Sequence, residues 1–251
     1  IRSLLSSYLF SEDGNFNFKL LENIQQFSSK NFPSELKKNS NYQSRISKNW
    51  IPSQRIINQD KQIHVLKTHN AMCNINGNNF TDRFNTIAAI YIVRDPRNLI
   101  TSLAHHYEIN LSTALQFLTN KRKIIFPNNF SNVPKDANDP EDFNFISDWS
   151  SHYLSWKNIN FCPVKIFKYE DFLINTEEIF LSILSFLKNF MKFELNPQKI
   201  KNALHSTNFN SLSRMEKIVG FNESVVSVKT KKKIKFFNLG KKNNWKKLLD
   251  K

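Results

Sequence analysis

Residues 86–93 read TIAAIYIV, an almost uninterrupted apolar run that stops abruptly at Arg94, Asp95 and Pro96. A run of this kind suits a strand covered on both faces, the situation inside a parallel sheet. The stop is equally informative, because Asp95 fits a helix N-cap and Pro96 the first helical position. A strand feeding a helix through a capped turn is half of a β-α unit. It constrains the chain to an α/β class, with a mostly parallel sheet flanked by helices.

The remaining sequence continues the alternation. Residues 63–67 (IHVLK) and 164–169 (VKIFKY) are further strand candidates, and helices are predicted at 96–106, 111–121, 143–158, 175–187 and 197–205. Asn175 with Glu178 has the spacing of a capping box, and Asn196 with Pro197 repeats the arrangement of a cap followed by proline. Phe145, Trp149, Tyr153 and Trp156 recur at helical spacing and read as a core stripe. With 251 residues, 40% of them hydrophobic, and no internal repeat, a single domain over 1–251 is expected.

Thirty-six Lys and Arg against 21 acidic residues leave a formal charge of +15. That excess favours anionic partners, but surface lysines also act simply as solvating charge, so it does not choose among nucleotides, nucleic acid and acidic lipid. Cys73 and Cys162 are the only cysteines, and they form no ligand cluster, which argues against a structural zinc site and a disulfide framework. No metal is expected. No apolar run reaches the roughly 18 to 20 residues that span a bilayer, and the chain reads as soluble and cytoplasmic, without a membrane or nucleic-acid partner.

Chemistry is concentrated in residues 91–107 (YIVRDPRNLITSLAHHY). Ligands of open α/β sheets bind beyond the carboxyl ends of the strands, where a guanidinium at a strand end and a hydroxyl on the next helix can converge on one phosphate. Arg94 and Ser102 are such a pair, and the guanidinium fork matches phosphate oxygens. The competing reading is an Arg94–Asp95 ion pair at the sheet edge. The whole segment resembles the 3'-phosphate-binding motif of the sulfotransferase family, which use 3'-phosphoadenosine-5'-phosphosulfate as co-substrate. In that family an Arg at the end of a buried strand and a Ser eight residues later hold the 3'-phosphate of the nucleotide.

Further segments fall in the family's order. Residues 65–71 (VLKTHNA) are similar to its strand-end Lys-Thr-His segment, which implies His69 as general base and Lys67 as a cation that stabilises charge in transfer. Imidazole has the right basicity to take a hydroxyl proton near neutral pH, a contribution of ~10²–10⁴-fold. Residues 168–173 (KYEDFL) resemble the stretch whose Tyr meets the adenine, implying Tyr169. Residues 206–209 (STNF) resemble the stretch that supplies Thr207 and Phe209 to the same pocket. Residues 236–245 (FFNLGKKNNW) are similar to the family's Arg-Lys-Gly loop followed by Gly-Asp-Trp. Gly240 and Trp245 keep their places there, while Asn238 and Leu239 stand where Arg and Lys are expected. Lys241, Lys242 or the run 231–233 could substitute, or they form a solvated basic loop.

The resemblance implies a P-loop-type parallel sheet, incomplete at both ends, since residues 1–10 (IRSLLSSYLF) read as the interior of a helix and 245–251 stop inside an amphipathic pattern. The phosphosulfate-gripping loop is therefore expected ahead of Ile1, and the fragment by itself is expected to be inactive. The implied reaction is sulfuryl transfer to a hydroxyl or amine of a small-molecule acceptor, with acceptor contacts expected from 111–145 and from the region after Ile75. Three other readings compete. A nucleic-acid-binding module would explain the charge, but no motif for it is present. Another P-loop enzyme such as a nucleotide kinase would require carboxylates for Mg²⁺ near the strand ends. The departures at Asn238 and Leu239 would suit a relative that binds nucleotide without transferring.

Overall fold

The structure, a computed structural model, describes residues 1–28, 41–126, 140, 142–227 and 229–249. In chain order the helices are α1 (Arg2–Phe10), α2 (Tyr42–Ser47), α3 (Trp50–Ile57), α4 (Pro96–Tyr107), α5 (Leu111–Thr119), α6 (Trp149–Lys157), α7 (Tyr169–Ile174), α8 (Thr176–Leu187), α9 (Pro197–Ser206), α10 (Phe209–Val219) and α11 (Trp245–Leu248). The strands are β1 (Asn74–Ile75), β2 (Asn78–Asn79), β3 (Ala89–Val93), β4 (Ile124–Ile125), β5 (Asn144–Phe145) and β6 (Val164–Lys168). β3 and β6 form a parallel pair, so the class is α/β as the sequence implies. Among the described residues no helix is long and apolar enough to cross a membrane.

The chain divides into two compact units. One comprises residues 1–25, 94–114 and 167–251. In it α1 packs against α9, with Leu4, Leu5 and Tyr8 buried on one side and Ile200 and Ala203 on the other. Tyr8 meets Phe180 edge to face at 5.9 Å, and its hydroxyl donates to the Glu194 carbonyl at 2.9 Å. That contact satisfies the polar tip of a buried aromatic. A second cluster gathers Phe16, Leu21, Leu212 and Phe221.

The other unit comprises residues 26–93 and 115–166. Its core is Phe27, Ile46, Trp50, Phe80, Phe143 and Trp156. β1 and β2 are an antiparallel hairpin turned by Asn76 and Gly77, whose φ values are +52° and +83°. Positive φ at both central positions is the twist-matched I′ geometry that Asn-Gly favours.

Three local readings of the sequence need correction. Residues 63–67 do not form a strand: Lys67 makes a single parallel bridge to Gln26, and Ile63 and Leu66 are exposed rather than covered on both faces. The helix expected from 143 begins only at Trp149. Ser147 adopts φ +59°, and the Asp148 carboxylate caps the new helix by accepting the Ser151 N–H at 2.9 Å. The capping box at Asn175 does not form. Asn175 gives its N–H to the Asp171 carbonyl at 2.8 Å, ending α7, and its side chain makes no cap bond. The caps at Asp95 and Asn196 form as expected.

Candidate functional site

Arg94 and the helix that follows it lie in the first unit. Arg94 follows β3 directly, and its Nη1 donates to Ser102 Oγ, one helical turn pair along α4, at 3.1 Å. The guanidinium lies 4.5 Å over the ring of Tyr169, the first residue of α7. Desolvation lowers the Arg94 pKa, opposed by Tyr169 and Glu170. Arginine starts so far above neutrality that the group stays cationic, so a charge is held half-buried with an aromatic face beneath it. The alternative Arg94–Asp95 ion pair is not the arrangement found. Asp95 instead takes Arg97 in a fork, at 2.9 and 2.6 Å, and that bond lowers the Asp95 pKa and raises that of Arg97.

The same carboxylate caps α4, accepting the Arg97 N–H at 2.9 Å, with Pro96 at the first helical position. From α7, Glu170 accepts the Asp95 N–H at 3.2 Å. The turn that presents Arg94 is therefore fixed from both sides. Arg97 also stacks 4.0 Å over Trp245.

Beside that stack, the C-terminal loop reaches α4 through hydrogen bonds between neutral groups. Asn243 Nδ2 donates to Ser102 Oγ and to the Asn98 carbonyl, both at 3.0 Å, and its Oδ1 accepts from Thr101 Oγ1 at 2.6 Å. The Trp245 N–H donates to Asn98 Oδ1 at 3.0 Å. Gly240 opens a short 3₁₀ turn with φ +54°, and a β-carbon there would lie 2.8 Å from the ring of Phe209. Phe209 starts α10 and is 37% exposed. Thr207 ends α9, where its hydroxyl is taken by the Ala203 carbonyl at 2.7 Å.

Asn238 and Leu239 bring no cation to this loop. Lys241 and Lys242 are exposed. Lys233 donates to the Phe221 carbonyl at 3.4 Å and bridges Val226.

Lys67 and His69 belong to the second unit. The Phe27 N–H bonds the Lys67 carbonyl at 2.8 Å, and the next residues are pinned through Asn70, which is fully buried. Its Oδ1 accepts from the Phe145 N–H at 2.8 Å, its Nδ2 donates to Asn144 Oδ1 at 3.2 Å, and its carbonyl accepts from Trp156 Nε1 at 2.9 Å. This is how Trp156, from the predicted core stripe, reaches the segment. The His69 side chain is exposed, while its carbonyl oxygen faces His152 Nε2 at 3.2 Å. His152 Nδ1 meets the Tyr91 hydroxyl at 2.8 Å.

A family model for the sulfotransferase domain matches residues 16–251. The chain belongs to the sulfotransferase family. A comparison with curated proteins found no match. Sulfotransferase membership agrees with the parallel β3–β6 pair and with a transferase activity in general. Among the described residues of this sulfotransferase, no group of three His, Cys, Asp or Glu could hold a metal ion. Sequence reading passed over Asn98, Asn243 and His152. Each acts through a partner distant in the chain, and only the helical and turn context of the partner could have flagged it. Part of the expected acceptor stretch, residues 127–139 and 141, lies outside the described residues.

Proposed function

We propose that the protein of which residues 1–251 are one sulfotransferase-like domain moves a sulfuryl group, in the cytoplasm, from 3'-phosphoadenosine-5'-phosphosulfate to the hydroxyl or amine of a small-molecule acceptor. The observation that carries the reading is the Arg94–Ser102 bond at 3.1 Å with Tyr169 4.5 Å under the guanidinium. A cation, a hydroxyl and an aromatic face together suit a phosphate beside a purine. In this reading Arg94 and Ser102 hold the 3'-phosphate. Tyr169, Thr207 and Phe209 border the adenine, and Gly240 lets the C-terminal loop come close to it.

His69 acts as the base. The acceptor oxygen or nitrogen forms a bond to sulfur, its proton passes to the imidazole, and the bond from sulfur to the bridging phosphate oxygen breaks. Adenosine 3',5'-bisphosphate leaves with the electron pair. Lys67 balances negative charge developing on the transferred group, as positioned cations do in phosphoryl transfer. No step requires a metal or nucleic acid.

Titration with adenosine 3',5'-bisphosphate tests the reading. Binding should be lost in Arg94→Ala and retained in His69→Ala, while transfer falls by ~10²–10⁴-fold in the latter. Absence of binding by the unaltered protein would sink it. A second reading, nucleotide binding without transfer, rests on Asn238 and Leu239 standing where two cations are expected. It predicts normal titration with no turnover for any acceptor.

A further inference from the structure

We propose that Asn243 is a positioning residue that aims the Ser102 hydroxyl proton at a bound anion. The inference rests on the reading of Arg94 and Ser102 as a phosphate site, and concerns a residue of the 236–245 segment that does not match the family's motif there.

A serine hydroxyl has one proton to give and two lone pairs to share. Ser102 Oγ accepts from Arg94 Nη1 at 3.1 Å and from Asn243 Nδ2 at 3.0 Å. Both lone pairs are therefore occupied, and among the described residues the hydroxyl donates to no acceptor. Its proton is turned away from both donors. Ser102 is half-buried rather than sealed, so an anionic oxygen arriving beside Arg94 finds the hydroxyl already oriented. Orientation before binding removes an ordering cost that the ligand would otherwise meet.

The polarity of the Asn243 amide is set by its surroundings. Its Nδ2 faces the Asn98 carbonyl at 3.0 Å, a group that can only accept, so the nitrogen must stand there. Oδ1 then falls on the opposite side, where Thr101 Oγ1 donates at 2.6 Å. A reversed amide would oppose two acceptors at Asn98 and would take the Ser102 proton for itself. Three neighbours on α4 thus hold one side chain of the C-terminal loop in the orientation that leaves the Ser102 proton outward.

The test compares two ligands on each variant by calorimetry: adenosine 3',5'-bisphosphate and adenosine 5'-monophosphate, which differ only in the 3'-phosphate. Their affinity ratio in the unaltered protein measures the 3'-phosphate contribution. Asn243→Ala should reduce that ratio roughly tenfold, the scale of a hydrogen bond to a charged group. Asn243→Asp should reduce it further, because a carboxylate accepts the Ser102 proton. In a Ser102→Ala background, Asn243→Ala should change the ratio no further, since the two residues act as one. Circular dichroism and thermal melting establish that each variant is folded.

An unchanged ratio in a folded Asn243→Ala overturns the proposal. Equal weakening of both ligands also overturns it, since Asn243 would then merely hold the loop. A further fall in the Ser102→Ala background does so too. A ratio near one in the unaltered protein would instead remove the phosphate-site reading itself, and this inference with it.

Discussion

The Nε2 of His152 lies 3.2 Å from the carbonyl oxygen of His69, the residue proposed above as base. At its other nitrogen, 2.8 Å away, stands the Tyr91 hydroxyl, whose pKa burial pushes up to about 12, with Tyr153 adding to the shift. Tyr91 is therefore a firm donor. Nδ1 accepts, and Nε2 carries the proton that reaches His69. Desolvation lowers the His152 pKa against the pull of the His69 carbonyl, so the neutral imidazole is the native form.

A pH dependence follows. Between the folded and unfolded His152 pKa values the unfolded chain binds the proton and the native chain does not, so stability is lost as pH falls below about 6.5. Urea midpoints at about pH 7.5 and about pH 5.5 should therefore drop more for the unaltered protein than for His152→Gln. Glutamine keeps a donor but cannot charge. An equal drop in both would show that His152 titrates normally.

Asp142 should act in the opposite sense. It is 4% exposed, and desolvation pushes its pKa up to about 7 despite the hydrogen bond from Ser28. Between the ordinary carboxylate value and about 7 the native state holds a proton that the unfolded chain has released. Stability from this site is present at low pH and lost as pH rises through about 7. Asp142→Asn should therefore be more stable than the unaltered protein above neutrality, with the gap closing by about pH 4. Chemical denaturation of the two proteins across that range checks it.

Glu216 organises the chain ahead of the C-terminal loop. Its carboxylate accepts from Ser224 Oγ at 2.8 Å and from the N–H groups of Phe236 and Phe237 at 2.6 and 3.0 Å. Glu216→Ala would leave those donors with no partner at a position 9% exposed, at a cost of about 2 to 4 kcal/mol. Glu216→Gln should recover part of it. Hydrogen exchange at the amides of 236 and 237 should accelerate in the alanine variant, and unchanged exchange would argue against the anchor.

Gly240→Ala meets two penalties. The left-handed φ costs roughly 1 kcal/mol for a residue with a β-carbon. The contact at 2.8 Å is with the outer edge of the Phe209 ring, and that ring can swing aside because it is 37% exposed. Backbone strain therefore dominates stability, while ring displacement dominates function. A small fall in melting temperature should accompany a larger loss of affinity for adenosine 5'-monophosphate if Phe209 borders the adenine.

The segment around Arg94 was legible because local signals agreed. An apolar run, an Asp cap and a Pro at the first helical position all marked the same strand-to-helix junction. The helix at 143 was misread because hydrophobic periodicity continued across Ser147, whose left-handed φ leaves no mark in a pattern of apolar residues. Asn76-Gly77 was a readable hairpin signal that the flanking Asn residues concealed, since they lack the alternation expected of strands. The segment 63–67 looked like a strand by composition. A ladder, however, needs a neighbour along its length, and here one bridge to Gln26 is what forms.

Site residues divide along the same line. Arg94 and Ser102 are eight positions apart and can be found by spacing. Asn243 contacts Ser102 across 141 positions and belongs to a loop whose basic residues drew attention to charge instead.

That loop reaches α4 through amide and hydroxyl hydrogen bonds from Asn243 and Trp245. Screening by salt acts on charges and leaves such bonds nearly untouched. If Arg94 holds an anion as proposed, raising the ionic strength should therefore weaken binding of that anion while the hydrogen bonds of Asn243 and Trp245 keep the loop seated, so that salt tunes occupancy without altering shape.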